Sequence, residues 1–259
     1  MPLHFSCTMC GRCCHGLRLP LGLTEARTWL SEGGTVELFC EAIPWPQEMP
    51  ADDGVAQHKR KRSFPAASGS LPVRVIVSLL ASFAGACPNL RSDMTCGIYE
   101  RRPMACRIYP AEVNPFISVD PGQKLCPPEA WESDAPLQTD RGGWADTSVA
   151  DAVDSRRGAD YREADAKGRL CELLGINAAG LTNEGVVTHT PERSRFLAAL
   201  DAVSTEDGPE SARSPWIMVS HRDRTLSLLA SAGAHLLHAG EVLNPGRRFI
   251  AFVEPGTYV

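Results

Sequence analysis

Eight clustered cysteines constrain this chain more than any other feature of its sequence. Four of them fall within eight residues, as Cys7-x2-Cys10-x2-Cys13-Cys14, and four more follow between residues 87 and 126. At 259 residues the chain is long enough to bury a hydrophobic core without disulfide bonds. Clustered thiols in a chain of this length therefore indicate metal ligands or redox groups.

The compartment suggested by the sequence agrees with that interpretation. The first residues lack the basic and apolar regions of a secretory signal, and the longest uncharged stretch, residues 75–90, is shorter than the roughly 20 apolar residues of a membrane span. We therefore expect a cytoplasmic protein with reduced thiols, with disulfides as the alternative. The net charge of −5 gives no sign of a nucleic-acid-binding surface. We expect a protein or redox partner, and neither nucleic acid nor a membrane.

The remaining pattern predicts an α+β fold in two parts. Residues 1–130 are predicted to form a small, irregular, cysteine-rich metal-binding domain with short strands and helices, and residues 131–259 an α+β extension of unknown role. Residues 44–72 contain five prolines and the basic run Lys59–Arg62, so we predict an exposed loop insertion there. The predicted strands are Thr35–Cys40, Val73–Phe83, Phe116–Val119, Trp216–Ser220 and Phe249–Val253. The predicted helices are a short one that starts after Thr24 and is stopped by Gly33-Gly34, Asp160–Leu174, one starting at Thr190-Pro191, and Thr225–His238.

The spacing of the thiols bears on which metal they bind. Two-residue spacers allow successive side chains to surround one centre, and Gly11 suits a backbone that folds tightly around a metal. Bacterial ferredoxins use the same C-x2-C-x2-C spacing with a remote cysteine before proline, and Cys87 and Cys126 both precede proline. We therefore favour a [4Fe–4S] cluster over zinc, which accepts any four thiolates. The predicted metal ligands are Cys7, Cys10, Cys13, Cys14, Cys87, Cys96, Cys106 and Cys126.

The number of metal sites stays open at this point. Adjacent residues rarely point at one centre, so Cys14, directly after Cys13, is assigned either to a second site or to a redox role. Eight thiols are enough for two four-cysteine sites, or for one cluster with four spare thiols.

The motifs around the cysteines resemble those of a known family. Three blocks carry the resemblance: CTMCGRCC from Cys7, CGIYERRP from Cys96, and CRIYP from Cys106. Together with Cys87-Pro88 they are similar to the CxxCxxCC cysteine-cluster family, the YkgJ-like proteins, over about residues 5 to 128. The resemblance implies a zinc- or iron-chelating domain, and flagellin lysine-N-methylases carry a similar cysteine-rich domain. The long proline-rich segment between the blocks departs from the family pattern.

Three further residues of these motifs are candidates for cofactor binding: Tyr99, Arg102 and Arg107. An arginine beside anionic thiolates can donate hydrogen bonds to sulfur, or can hold a substrate carboxylate or phosphate. The alternative is that the arginines pair with Glu100 to fix the loop while Tyr99 packs inside it. No catalytic residue is predicted.

The remaining cysteines and histidines receive less specific predictions. We interpret Cys40 and Cys171 as ordinary buried thiols. His4 and His15 flank the N-terminal motif, where histidines more often contact the ligands or are merely exposed than bind the metal themselves. Three functions follow from the whole pattern: an iron–sulfur protein with a redox, sensing or enzyme-supporting role, a structural zinc module that presents a partner surface, or a lysine methylase-like enzyme.

Overall fold

The computed structural model describes residues 3–140, 142–205, 214–242 and 246–252. Within them the chain is a mixed α+β fold, as predicted, with nine strands in one sheet. The strands are β1 (Arg18–Leu21), β2 (Thr35–Pro44), β3 (Ser63–Ser68), β4 (Leu71–Ser82), β5 (Ala178–Leu181), β6 (Gly185–His189), β7 (Ile217–Ser220), β8 (Leu236–His238) and β9 (Arg247–Ala251). The helices are α1 (Leu23–Ser31), α2 (Gly54–Lys61), α3 (Met104–Ile108), α4 (Thr147–Arg162), α5 (Ala164–Leu174), α6 (Arg193–Thr205) and α7 (Asp223–Ser231).

The sheet is built around two long strands, β2 and β4, which pair antiparallel. Alternate residues of both strands are apolar, so each strand presents one continuous apolar face. β1 and β3 pair with β4, whereas β5 and β6 both pair with β2. From β2 the sheet continues as parallel strands through β5, β7 and β8, and β9 pairs with β6.

Three helices cover one face of the sheet and close the main core. Leu30 of α1, Leu170 of α5 and Phe196 of α6 are buried there against Leu38 of β2 and Leu79 of β4. The sheet thus combines strands from both predicted parts of the chain, since β2 pairs with β5 and β6. The predicted division at residue 130 stays a prediction.

The cysteine-rich segment lies outside this regular framework. Between β4 and α4, the described residues form α3, short 3₁₀ turns and loops. The segment is attached to α4 by an apolar cluster in which Ile108 and Ala111 pack against Ala152 and Val153. The irregular character predicted for this part of the chain is confirmed.

The prediction of an exposed loop over residues 44–72 is wrong. The segment contains α2 and β3, and both bury side chains: His58 is 7% exposed and Phe64 is 1% exposed. Asp53 caps α2 by accepting a hydrogen bond from the N–H of Ala56 at 2.9 Å. Pro65 is tolerated in β3 because this strand pairs with β4 alone, at an edge of the sheet.

Two other predicted elements differ from the structure. Phe116–Val119 is not a strand, because the side chain of Asn114 accepts a hydrogen bond from the N–H of Phe116 and forms a local turn. The helix predicted over Thr225–His238 ends at Ser231, before Gly233 with its positive φ of 79°, and β8 follows.

The other predicted elements are present with shifted ends. The strand predicted as Phe249–Val253 is β9, although Val253 lies outside the described residues. Gly175, in the left-handed conformation, ends α5 as expected from its sequence. In the described part of the chain, no helix has both the length and the apolar character needed to cross a bilayer.

Candidate metal centre

All eight predicted ligands line a single cavity of about 910 Å³. They are Cys7, Cys10, Cys13, Cys14, Cys87, Cys96, Cys106 and Cys126. The ten cysteines of the chain are free thiols in the structure. Their assignment as metal ligands stays a prediction, but the fold brings cysteines from both ends of a 120-residue segment to one place, as that prediction requires.

The N-terminal loop is turned toward the cavity by a short 3₁₀ turn over Arg12–Cys14. Gly11 precedes the turn with φ of 69°, a conformation that favours glycine, and its carbonyl accepts a hydrogen bond from the N–H of Cys14 at 2.9 Å. A β carbon at residue 11 would lie 2.5 Å from Cε of Met94. The requirement for glycine is therefore mainly conformational, because Cε is the end of a flexible side chain that can move.

Cys126 lies beside the first three cysteines of the chain. The N–H of Ser6 donates to the carbonyl of Ala130 at 2.8 Å, and the ring of Phe5 packs 5.0 Å from that of Trp131, so the N-terminal segment lies alongside the segment after Cys126. Besides burial, Cys10 and Cys7 raise the pKa of Cys126, and Cys14, Cys126 and Cys7 raise that of Cys13, so these thiols lie close together. We call this set group A: Cys7, Cys10, Cys13 and Cys126.

The other four thiols form a second set around Cys14. The N–H of Cys87 donates to the carbonyl of Cys14 at 2.6 Å, which places the two residues side by side. Cys96 returns on a tight loop that is closed by a hydrogen bond from Gly97 to the carbonyl of Asn89 at 2.7 Å. The thiols of this set also influence one another electrostatically. We call it group B: Cys14, Cys87, Cys96 and Cys106.

Burial favours the neutral form of five of the eight thiols, those of Cys13, Cys14, Cys87, Cys106 and Cys126. Burial and, to a lesser extent, the neighbouring thiols of the cavity together raise the pKa of Cys13 and of Cys106 to about 12. Ionisation of several such thiols would concentrate negative charge in a partly buried space. A bound cation would supply the missing positive charge, so the chemistry of this donor set fits a metal centre.

The thiols do not yet surround a metal position. In the ranges that the structure describes, no three histidine, cysteine, aspartate or glutamate side chains are arranged as a set that could hold a metal ion. Binding would therefore require the thiols of a group to reorient toward one another. That behaviour is common in sites where metal binding is coupled to folding of the loops that carry the ligands.

The predicted cofactor-binding residues also line the cavity. The guanidinium of Arg102 stacks 3.8 Å above the ring of Tyr99, and its Nε donates to the carbonyl of Tyr99 at 3.0 Å. The charge of Arg102 acts on Cys106 of group B. Tyr99 is 52% exposed, so it does not pack inside the loop, and Arg107 is exposed at the surface of the cavity. The cofactor-binding role of the three residues stays a prediction.

The contact of Tyr109 with Cys126 was not predicted from the sequence. The hydroxyl of Tyr109 accepts a hydrogen bond from the N–H of Leu125 at 2.8 Å and donates to the thiol of Cys126. The signal was present in the sequence, since Tyr109 lies in the block CRIYP, but nothing local shows that this tyrosine reaches a cysteine 17 positions away.

The flanking histidines and the two remaining cysteines lie outside the cavity lining. His4 and His15 each use Nδ1 for a hydrogen bond with a main-chain carbonyl, of Ser133 and Gly11 respectively, at 3.0 Å. Cys40 and Cys171 are buried in the main core, as expected, and their thiols are in hydrogen-bond contact.

Comparisons with known proteins agree with this geometry. Residues 6–127 match the model of the CxxCxxCC family, described as "Putative zinc- or iron-chelating domain". The matched segment contains all eight cysteines of groups A and B. No curated protein and no solved structure gives a significant match.

Proposed function

We propose that the chain is a cytoplasmic iron–sulfur protein, a proposal supported by the match of residues 6–127 to the CxxCxxCC family model, "Putative zinc- or iron-chelating domain". In this proposal group A holds a [4Fe–4S] cluster. The observation that carries it is the association of the C-x2-C-x2-C run with Cys126, a remote cysteine followed by Pro127. This is the combination of spacing and sequence that ferredoxin-type clusters use.

A bound cluster would supply one-electron redox chemistry in the cavity. The chain's own residues hold and tune it: the four thiolates of group A bind iron, and Tyr109 donates a hydrogen bond to the sulfur of Cys126. Hydrogen bonds to cluster sulfurs stabilise the reduced form and shift the potential. The exposed position of Cys7 leaves one side of group A open to solvent or to a redox partner.

Group B supplies four more thiols, which is enough for a second centre. Because Cys13 and Cys14 are adjacent but belong to different groups, the two centres would be joined by one peptide bond. A structural zinc ion in group B would connect the N-terminal loop with residues 87–106, and zinc in both groups is the rival to the iron–sulfur proposal. Redox electron transfer, sensing and support of a partner enzyme are the roles open to such a protein.

Paired cysteine variants test the cluster proposal. We expect the protein purified without oxygen to show broad visible absorption from sulfur-to-iron charge transfer and to release sulfide with acid. Cys126→Ser should lose both signals, because it removes a ligand of group A. Cys40→Ala is the matched control, since it also removes a thiol but from the main core. A colourless wild-type protein without sulfide, or equal signals in Cys126→Ser and Cys40→Ala, would contradict the proposal.

A further inference from the structure

One partly buried carboxylate, that of Glu25, connects the start of α1 with the segment that carries Cys106. The side chain of Glu25 accepts hydrogen bonds from the main-chain N–H of Gly22 at 2.8 Å and from that of Met104 at 2.6 Å. Gly22 caps α1, and Met104 is the first residue of α3. The first N–H groups of a helix have no partner inside that helix, so Glu25 satisfies and positions two helix starts at once.

Glu25 is in turn held by the C-terminal half of the chain. Arg156 of α4, with a side chain 8% exposed, lies 3.5 Å from the Glu25 carboxylate and 3.0 Å from Asp160. It also donates to the carbonyl of Leu21 at 3.2 Å. A buried guanidinium with these partners is a rigid support, because its planar fork directs several N–H groups at fixed angles.

A second buried cation extends this support to α5. Lys167, with a side chain 4% exposed, lies 3.2 Å from Glu163 and 3.5 Å from Asp160. Glu163 accepts a hydrogen bond from the N–H of Leu23, the first residue of α1, at 3.2 Å. The network therefore runs from α5 and α4 through α1 to α3.

Apolar and polar contacts place the Cys106 segment on the same helix. Ile108 of α3 is 2% exposed and packs against Val153 of α4. Arg157 of α4 donates to the carbonyl of Val113, just beyond α3, at 3.0 Å. Cys106, two residues after Met104, thus lies on a short helix that packs against α4 and whose first N–H is bound by Glu25.

We propose that Glu25 is a positioning residue for Cys106 and that the C-terminal helices α4 and α5 hold Glu25 in place. The C-terminal half thereby contributes to the cavity without supplying a thiol. The idea that Cys106 binds a metal rests on the proposed function. The position of Cys106 in the metal-free protein, however, is measurable whether or not that function is correct.

A substitution of the hydrogen-bond donor gives the sharpest test. Met104→Pro removes the N–H that donates a hydrogen bond to Glu25, and proline is tolerated at the first position of a helix. Pro103 already has the extended conformation, with ψ of 147°, that a residue before proline adopts. Met104→Ala is the matched control, because it shortens the same side chain and keeps the N–H. In the reduced, metal-free full chain we expect iodoacetamide to label Cys106 several-fold faster in Met104→Pro than in Met104→Ala, with equal labelling of Cys87.

A second pair of variants tests the carboxylate itself. Glu25→Gln removes the charge that faces Arg156. Glu37→Gln is the control, since Glu37 of β2 likewise faces arginine, with Arg18 at 3.3 Å and Arg248 at 3.0 Å, but lies outside the network of Glu25. We expect faster labelling of Cys106 in Glu25→Gln and the wild-type rate in Glu37→Gln. A cooperative thermal unfolding transition shows that each variant is folded. If Glu25→Gln does not fold, the Met104 pair decides.

Metal binding provides the second readout. Cadmium titration of the full chain, followed by thiolate absorption, should reach a lower plateau in Met104→Pro than in Met104→Ala. Equal Cys106 labelling within each pair would overturn the proposal, as would equal acceleration of Cys87, which would indicate general loosening. If the wild-type chain binds no metal, the proposed function fails, and the labelling rates alone decide whether Glu25 positions Cys106.

Discussion

At the scale of single residues, the geometry of the N-terminal loop depends on Gly11. Its positive φ starts the turn that separates Cys13, in group A, from Cys14, in group B. The space that a side chain would need is already occupied by Met94. Gly16, four residues after the turn starts at Arg12, has a similar φ of 63° but no atom within 4 Å of its missing β carbon.

These two glycines allow strain and steric conflict to be separated. Alanine in the left-handed conformation costs roughly 1–2 kcal/mol at either position. Gly11→Ala must also displace Met94, so we expect it to release metal to a competing chelator more readily than Gly16→Ala does. Chelator competition at equal protein concentration measures the difference. Equal metal retention in the two variants would show that the Met94 contact does not matter for the cavity.

The identity of the candidate thiols was predictable from the sequence, but their grouping was not. The spacing of Cys7, Cys10 and Cys13 predicts a shared centre, because the local backbone alone can bring such closely spaced side chains together. Which remote cysteine completes that centre depends on tertiary contacts, and both Cys87 and Cys126 precede proline. The pairing of Ser6 with Ala130 brings Cys126 to group A, and no local pattern encodes it.

At the scale of elements, β6 contains a buried, neutral histidine. The Nε2–H of His189 donates to the carbonyl of Ala178 at 2.9 Å, within the sheet. Burial, with a smaller contribution from the charge of Arg247, lowers the pKa of His189 to about 4, although the hydrogen bond to Ala178 acts in the opposite direction. The unfolded chain therefore binds a proton at a higher pH than the folded chain does, so the stability supplied by this neutral histidine is complete above its unfolded pKa and decreases as the pH falls.

This shift predicts a pH-dependent loss of stability. With an unfolded pKa of about 6.5, His189 alone should lower the free energy of unfolding by about 2 kcal/mol between pH 7.5 and pH 5. His189→Gln, which keeps a donor for Ala178, should remove that part of the pH dependence. Urea unfolding at both pH values measures it, with the exposed His235→Gln as control. The same pH dependence in His189→Gln and the wild type would show that His189 is not the group responsible.

The elements that were predicted correctly are those with a strong periodic pattern. β4 was found because its valines alternate along a long strand, and the end of α5 because Gly175 follows its last apolar residue. The segment 44–72 was missed because its prolines outweighed a local signal. Asp53 ahead of residues with good helix propensity predicts α2, but the burial of Phe64 in β3 depends on pairing with β4.

At the scale of the whole molecule, a regular sheet supports an irregular cysteine-rich segment. The long strands β2 and β4 and the helices α1, α5 and α6 form the main core, which contains no residue of groups A or B among its fully buried members. The cysteine-rich segment is attached to this core through α3, α4 and the network of Glu25. The C-terminal half, whose sequence contains no recognisable site, therefore acts on the cavity through position and support.

Metal and sulfide analysis of the wild-type chain, purified without oxygen, tests the central claim most directly. Iron, zinc and acid-labile sulfide are each quantified per chain on the same sample. We expect at least about four iron and four sulfide per chain, as a [4Fe–4S] cluster in group A requires. Zinc without iron or sulfide would contradict the iron–sulfur proposal and identify the cavity as a structural zinc site, and a chain free of all three would contradict metal binding itself.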